Sequence, residues 1–218
     1  MTVLRTLAEQ TDPRHTALLV IDVQNDFCHE DGGIARRGGD LRRVRELVVP
    51  RLAELIRTAA DAGVFIVLAR IVQSPATNSE AWEALEPADG DRLVVEDSWG
   101  AEYYPGLPLE HADLELVKHR HSAFAATGLD RILRSRGIRS VVIGGVATHV
   151  CVEGTAREAA DRDYYVTVVE DATGAAFSHL HETSLENMRR YFGRVETCAA
   201  VTSVWTALAV AESEEILS

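Results

Sequence analysis

The chain has 218 residues, 46% of them hydrophobic, which is enough to bury one sizeable core and fits a single domain spanning residues 1–218. A formal net charge of −12 sets it against phosphate backbones and anionic membrane surfaces, so nucleic acid is not an expected partner. No apolar run approaches the ~20 residues of a membrane span, and the start through His15 is polar rather than signal-like. The three cysteines, Cys28, Cys151 and Cys198, are odd in number and far apart, which predicts reduced thiols in a cytoplasmic protein and no disulfide framework.

Taken in order, Ala17 to Ile21 is a continuous apolar run that predicts a buried first strand, closed by the carboxylate Asp22. The loop beyond it, VQNDFCHEDGGIARRGGD, lies where α/β proteins place ligands. Leu41 to Gly63 has helical periodicity, with Pro50 marking the start of its regular part, and Val64 to Ala69 predicts a second strand ending at Arg70. The stretch from Ile71 to Ala112 holds at most one short helix, around Ser79 to Leu85, and reads as pocket wall. Trp82 within it is assigned to packing. Leu114 to Val117 predicts a third strand with Lys118 at its end, and Leu129 to Arg136 a short helix with Ile132 and Leu133 facing inward.

Val141 to Ile143 predicts a fourth strand that Gly144-Gly145 stops with a turn. A helix then begins with Thr148 as its N-cap, which puts Cys151 in the first turn, where unpaired N–H groups and the helix dipole favour thiolate. Tyr164 to Val169 predicts a fifth strand, Ser178 to Tyr191 a helix capped by Ser178, Val195 to Cys198 an edge strand and Val201 to Ala211 a last helix. The tail Glu212-Ser213-Glu214-Glu215 reads as solvated surface.

Alternating strands and helices with near-continuous apolar strands predict an α/β parallel sheet covered on both faces. All strand ends then share one edge, and Asp22, Lys118 and Cys151 all follow strands. A carboxylate, an ammonium and a thiol in one cleft suit acyl transfer: Asp22 takes the thiol proton, Lys118 holds the charge, and Cys151 attacks a carbonyl. The N–H groups of Ala147 and Cys151 are the candidate oxyanion donors.

Several motifs in order resemble the isochorismatase-like cysteine hydrolases: LLVIDVQNDF with Asp22, LELVKHRHSAF with Lys118, GGVATHVCVEGTAREAADRDY with Cys151, and the later VVEDATGA. The resemblance runs from about Ala17 to Val204. It implies a three-layer sandwich around a six-stranded, mostly parallel sheet of order 3-2-1-4-5-6, a cis peptide between Val146 and Ala147, and a homodimer or homotetramer. Nicotinamidases of this family carry a metal-binding Asp-x-His after the second strand. The text here is ARIVQSPATNSEAW, without histidine, which speaks against a metal and against nicotinamide together, and no cofactor is expected. The run from Asp130 to Thr173 is most similar to ureidoacrylate and biuret-type amidohydrolases, which implies a small carbamoyl or ureido substrate.

For such a planar, often anionic substrate, Phe27, Trp99, Tyr104 and Phe124 are candidate walls, and Arg70 or Arg120 a carboxylate clamp. His149, two residues from Cys151, borders the pocket rather than forming a dyad. The pairs His119/His121 and His179/His181 read as solvated or hydrogen-bonded histidines. The rival reading from a different class is a non-catalytic or redox-responsive binding protein on the same fold.

Overall fold

A computed structural model describes residues 3–85 and 91–216, the side chains of 211–216 excepted. The solvation expected for the tail Glu212 to Glu215 therefore lies outside the described side chains.

Six strands form one sheet of order β3-β2-β1-β4-β5-β6, with every neighbouring pair parallel. They are β1 Thr16–Ile21, β2 Phe65–Ile71, β3 Leu114–Lys118, β4 Ser140–Val146, β5 Tyr165–Gly174 and β6 Arg194–Glu196. Alternate residues of the central strands feed two separate cores. Leu18, Val20, Ile66, Leu68 and Val142 pack with Leu52, Leu55 and Ile56 of helix Val49–Asp61 and with Val201 and Trp205 of helix Cys198–Ile216. Ala17, Leu19, Ile21, Val67, Val141 and Ile143 pack with Leu129 and Leu133, with Ala156 and Ala159 of helix Glu153–Asp161, and with Leu185 and Met188 of helix Ser178–Tyr191. Both faces of the central strands are thus apolar, which is why they read as unbroken hydrophobic runs.

Several boundaries differ from the sequence expectation for identifiable reasons. Arg70 lies inside β2 rather than at its end. Pro50 sits at the start of the regular helix, preceded by a π-helical turn over Val44–Val48. Proline donates no N–H to the turn before it, which favours a local change of winding there. β5 continues through Glu170-Asp171 to Gly174. Ser178 does not cap its helix; Phe177 is the N-cap and makes no side-chain bond.

The largest difference is in β4, which runs through both glycines to Val146 instead of turning at them. Gly144 and Gly145 pair with Val20 and Ile21, and the register with β5 shifts between Ile143 and Gly145. Gly145 has φ +124, and a Cβ there would meet the Ile21 carbonyl oxygen at 2.1 Å. The glycines therefore mark an irregular strand with close backbone approach, not its end. Gly145→Ala is expected to cost about 3 kcal/mol or more in urea unfolding; a loss under about 1 kcal/mol would contradict this account of the position.

Candidate active site

Asp22 closes β1 in a left-handed conformation, φ 52, and its N–H donates to the Ala69 carbonyl of β2 at 2.8 Å. Aspartate tolerates this region better than most residues, and the turn carries its side chain beneath the strand ends. The loop behind it is held by Gln24, whose amide accepts from the Ile71 N–H at 2.9 Å and donates to the carbonyls of Ile71 and Ala101, both at 2.9 Å.

Lys118, at the end of β3, is fully buried and reaches past β2 to Asp22, with Nζ donating to Oδ2 at 2.7 Å. Its other two protons go to the carbonyls of Arg120 at 3.0 Å and His121 at 2.8 Å. An ammonium has three donors, so Lys118 is saturated and serves as a fixed positive charge. Asp22 Oδ1, by contrast, is buried and has no hydrogen-bond donor.

Cys151 arrives from the other side of β1, through β4. The Val146–Ala147 peptide is cis, and the chain enters a π-helical turn over Thr148–Val152 before the α-helix Glu153–Asp161. Thr148 is not the N-cap: that position is Ala147, whose carbonyl accepts from the N–H groups of Val150 at 3.0 Å and Val152 at 3.3 Å. The Thr148 hydroxyl instead meets His181 Nδ1 at 2.8 Å. The Ala147 and Cys151 N–H groups belong to this N-terminal stretch, where helical donors lack intrahelical acceptors.

Asp22, Lys118 and Cys151 therefore lie together, drawn from three strand ends. The resting charge state differs from the sequence expectation. Burial raises the Cys151 thiol well above its ordinary value, and the Asp22 carboxylate adds to the effect against the opposing Lys118. The thiol is thus protonated at rest, because burial next to an acid outweighs the dipole at a helix end. Burial also raises Asp22, against Lys118, which makes its carboxylate a stronger base than an exposed one.

A cavity of about 250 Å³ opens over Cys151. Of the sequence candidates, Phe27, Val146, Ala147, His149 and Cys151 line it. Arg70, Trp99, Tyr104, Arg120 and Phe124 do not. Arg70 donates to the Ala101 carbonyl at 3.4 Å and covers Tyr103, while Trp99 and Tyr104 pack on His29 at the surface. Phe124 is core, 3% exposed and beside Tyr164. Arg120 is held by the Thr77 carbonyl at 3.1 Å and lies over Trp82.

Most of the wall escaped the sequence reading, His121 and Trp82 among it. His121 places Nδ1 3.7 Å from Cys151 Sγ, and Trp82 leans on it with ring centroids 4.8 Å apart and planes tilted by 50°. The signal lay in KHRH: a buried Lys118 has to find carbonyl acceptors, so the next residues must curl back over it. Burial holds His121 and His149 below the ordinary histidine range, so both are neutral near pH 7. Among the described residues no three His, Cys, Asp or Glu side chains converge as a metal site.

His181 is likewise held below 6.5, by burial first and then by Arg43, with Glu182 opposing and His149 adding to the lowering. The folded chain then binds fewer protons than the unfolded one just below pH 6.5. The stability this contributes is complete above that pH and is lost as pH falls through the folded value. The Tm difference between the parent chain and His181→Gln should shrink from about pH 7.5 to about pH 5; a constant or widening gap would contradict the assignment.

The isochorismatase domain profile matches residues 16–200. The chain is 33% identical over 207 residues to the ureidoacrylate amidohydrolase RutB of Methylobacterium radiotolerans, covering 88% of this chain and 80% of that one. Its fold is similar to that of a cysteine hydrolase from Pseudomonas syringae pv. phaseolicola, with TM-score 0.81, 23% identity, and 95% and 99% of the two chains covered. It is also similar to an isochorismatase family protein from Desulfovibrio vulgaris, with TM-score 0.76, 30% identity, and 88% and 99% covered. Sheet order and sequence likeness together define a three-layer α/β hydrolase. The chain belongs to the isochorismatase family. Among the described residues no helix is long and apolar enough to cross a membrane.

Proposed function

We propose that the protein is a cysteine amidohydrolase that cleaves the C–N bond of a small amide or ureido substrate through a thioester. The observation that carries this reading is the buried Asp22: Oδ2 is taken by Lys118, Oδ1 has no donor, and its charge adds to burial in holding the Cys151 thiol above its ordinary value.

Asp22 Oδ1 accepts the thiol proton as Sγ attacks the carbonyl carbon, forming the C–S bond and moving the carbonyl π electrons onto oxygen. The N–H groups of Ala147 and Cys151 meet this oxyanion. Asp22 then returns its proton to the nitrogen, the C–N bond breaks, and ammonia or an amine leaves. Water attacks the thioester and gives a proton to Asp22; when the C–S bond breaks, that proton goes to sulfur and the carboxylic acid departs. Lys118 keeps Asp22 charged between these steps without donating a proton itself, since all three of its protons are engaged. Phe27 and His149 bound the space where the substrate sits.

Family likeness supports the same reading, because relatives at 33% identity carry the name ureidoacrylate amidohydrolase. The test is ammonia release from ureidoacrylate, biuret, N-carbamoylsarcosine, nicotinamide and simple carboxamides, with Cys151→Ser alongside. Release from at least one compound, lost in the variant, is expected. Release that persists in Cys151→Ser, or silence across the panel, would overturn the proposal.

A further inference from the structure

The cavity over Cys151 is unusually poor in polar groups for a site in a chain so rich in charge. Its walls are Phe27, Ile34, Leu41, Val44, Leu93 and Phe177, with others of similar kind, and the polar side chains among them are Gln73, His121 and His149. No lysine or arginine is among the described residues that line it. The undescribed residues and side chains, at 1–2, 86–90 and 211–218, include no lysine, arginine or histidine at all, so none of them can bring a basic side chain.

The arginines next to the lining residues in sequence lie outside the cavity: Arg42 and Arg43 line a neighbouring pocket with Asp40, Glu46 and Glu182, Arg45 faces Glu30 at 3.8 Å, and Arg92 pairs with Glu83. Arg120 donates to the carbonyls of Thr77 at 3.1 Å and His119 at 2.5 Å, and its plane covers Trp82. Arg36 pairs with Asp91 at 2.9 Å. Lys118 is fully buried and saturated. The charges immediately behind the thiol are the Asp22 carboxylate and the Lys118 ammonium, a buried ion pair with no net charge to offer an anion.

We infer that the cavity selects small amides whose acyl group is uncharged and apolar, an aliphatic or aryl carboxamide, and discriminates against amides that carry a carboxylate. This deepens the amidohydrolase reading and rests on it. A carboxylate in this cavity would lose its hydration and find no cation to replace it, which is the costliest kind of burial. An aliphatic or aryl group there gains by leaving water. Gln73 supplies the one oriented amide donor: the Trp82 indole N–H donates to its Oε1 at 2.6 Å, which leaves Nε2 for a neutral acceptor. Ureidoacrylate carries a carboxylate, so this selection separates the chain from its relatives of that name by substrate while leaving it in their family.

The experiment compares kcat/KM for isobutyramide and benzamide with succinamate and ureidoacrylate, measured as Cys151-dependent ammonia release. The neutral amides should be favoured by ~100-fold or more, the scale of an uncompensated buried charge. Phe177→Arg, at a rim position 48% exposed where an arginine can be accommodated, should raise turnover of the anionic pair and narrow the ratio at least tenfold. In parallel, 3-methylbutanal and succinic semialdehyde, each adding reversibly to the Cys151 thiol, are compared as protectants against alkylation. Stronger protection by the neutral aldehyde is expected.

Cys151-dependent turnover of the anionic amides at equal or greater rates would overturn the selection and leave amide hydrolysis standing. Silence from every amide, together with selective protection by 3-methylbutanal, would overturn the amidohydrolase reading and keep the selection. Equal or reversed protection would overturn the selection whatever the turnover.

Discussion

Replacing Cys151 by alanine is expected to lower kcat/KM for amide hydrolysis by ~10⁴-fold or more, with the fold retained. Among the described residues that line the cavity no second thiol and no hydroxyl stands in its place: beside the sulfur are the Asp22 carboxylate, the imidazole of His121, the saturated Lys118 and the apolar wall. Asp22→Asn should cost a comparable factor, because an amide oxygen cannot take the thiol proton and the thiol is held protonated by burial. Since the two residues act in one proton transfer, the double variant should be no worse than Cys151→Ala alone. Additive losses would contradict a shared step. Cys151 is 5% exposed, so the alanine variant removes one buried sulfur and should keep its Tm within a few degrees, about what ~1 kcal/mol produces.

Lys118→Met is expected to destabilise the protein by about 3–5 kcal/mol near neutral pH, the range for removing one partner of a buried ion pair. The ion pair has 0% side-chain exposure at both ends, so water cannot take the place of the ammonium. Without it the carboxylate either stays charged in an apolar setting or takes up a proton, and burial already raises its pKa. The sign follows: in the variant, the folded chain holds a proton on Asp22 that the unfolded chain releases above its ordinary value near 3.8. The stability of Lys118→Met should therefore fall as pH rises through the interval above that value, more steeply than the parent's. Adding Asp22→Asn removes the stranded charge and should recover at least half of the loss. Urea unfolding of the parent, Lys118→Met and the double variant decides it. A Lys118→Met loss under about 1 kcal/mol, or no recovery in the double variant, would contradict the pairing as described.

The parallel sheet was legible in the sequence because central strands buried on both faces leave unbroken runs such as ALLVI and VFIVLA, whereas its strand order came only with the family resemblance. The sequence also implied that Asp22, Lys118 and Cys151 share an edge, since parallel strands send all their ends one way. Strand termini were less legible. Gly144-Gly145 reads locally as a stop, yet Gly145 is needed where backbone passes within 2.1 Å of where a Cβ would stand, a packing demand invisible to local pattern. The same limit applies to caps: Thr148 is a favourable N-cap by type, but a tertiary partner, His181, claims its hydroxyl.

The chemistry of the site was read less well than its position. Helix-dipole reasoning favours a thiolate, whereas the structure buries the sulfur beside an acid, and desolvation is the larger effect. The arginine clamp failed because proximity in sequence to a strand mouth says nothing of which carbonyls a guanidinium will find, and Arg120 found Thr77. Trp82, in the short helix Glu80–Glu83, and His121, in the loop after β3, meet only in three dimensions.

Hydrolysis through a thioester requires a covalent acyl group at Cys151. The most direct measurement is intact-mass analysis of the enzyme quenched in acid during turnover of a small carboxamide, with peptide mapping of any adduct. The account predicts a mass increase equal to the acyl group less one hydrogen, located on Cys151, released by hydroxylamine and absent in Cys151→Ala. Sustained ammonia release with no acyl mass on the chain, and undiminished in Cys151→Ala, would contradict it.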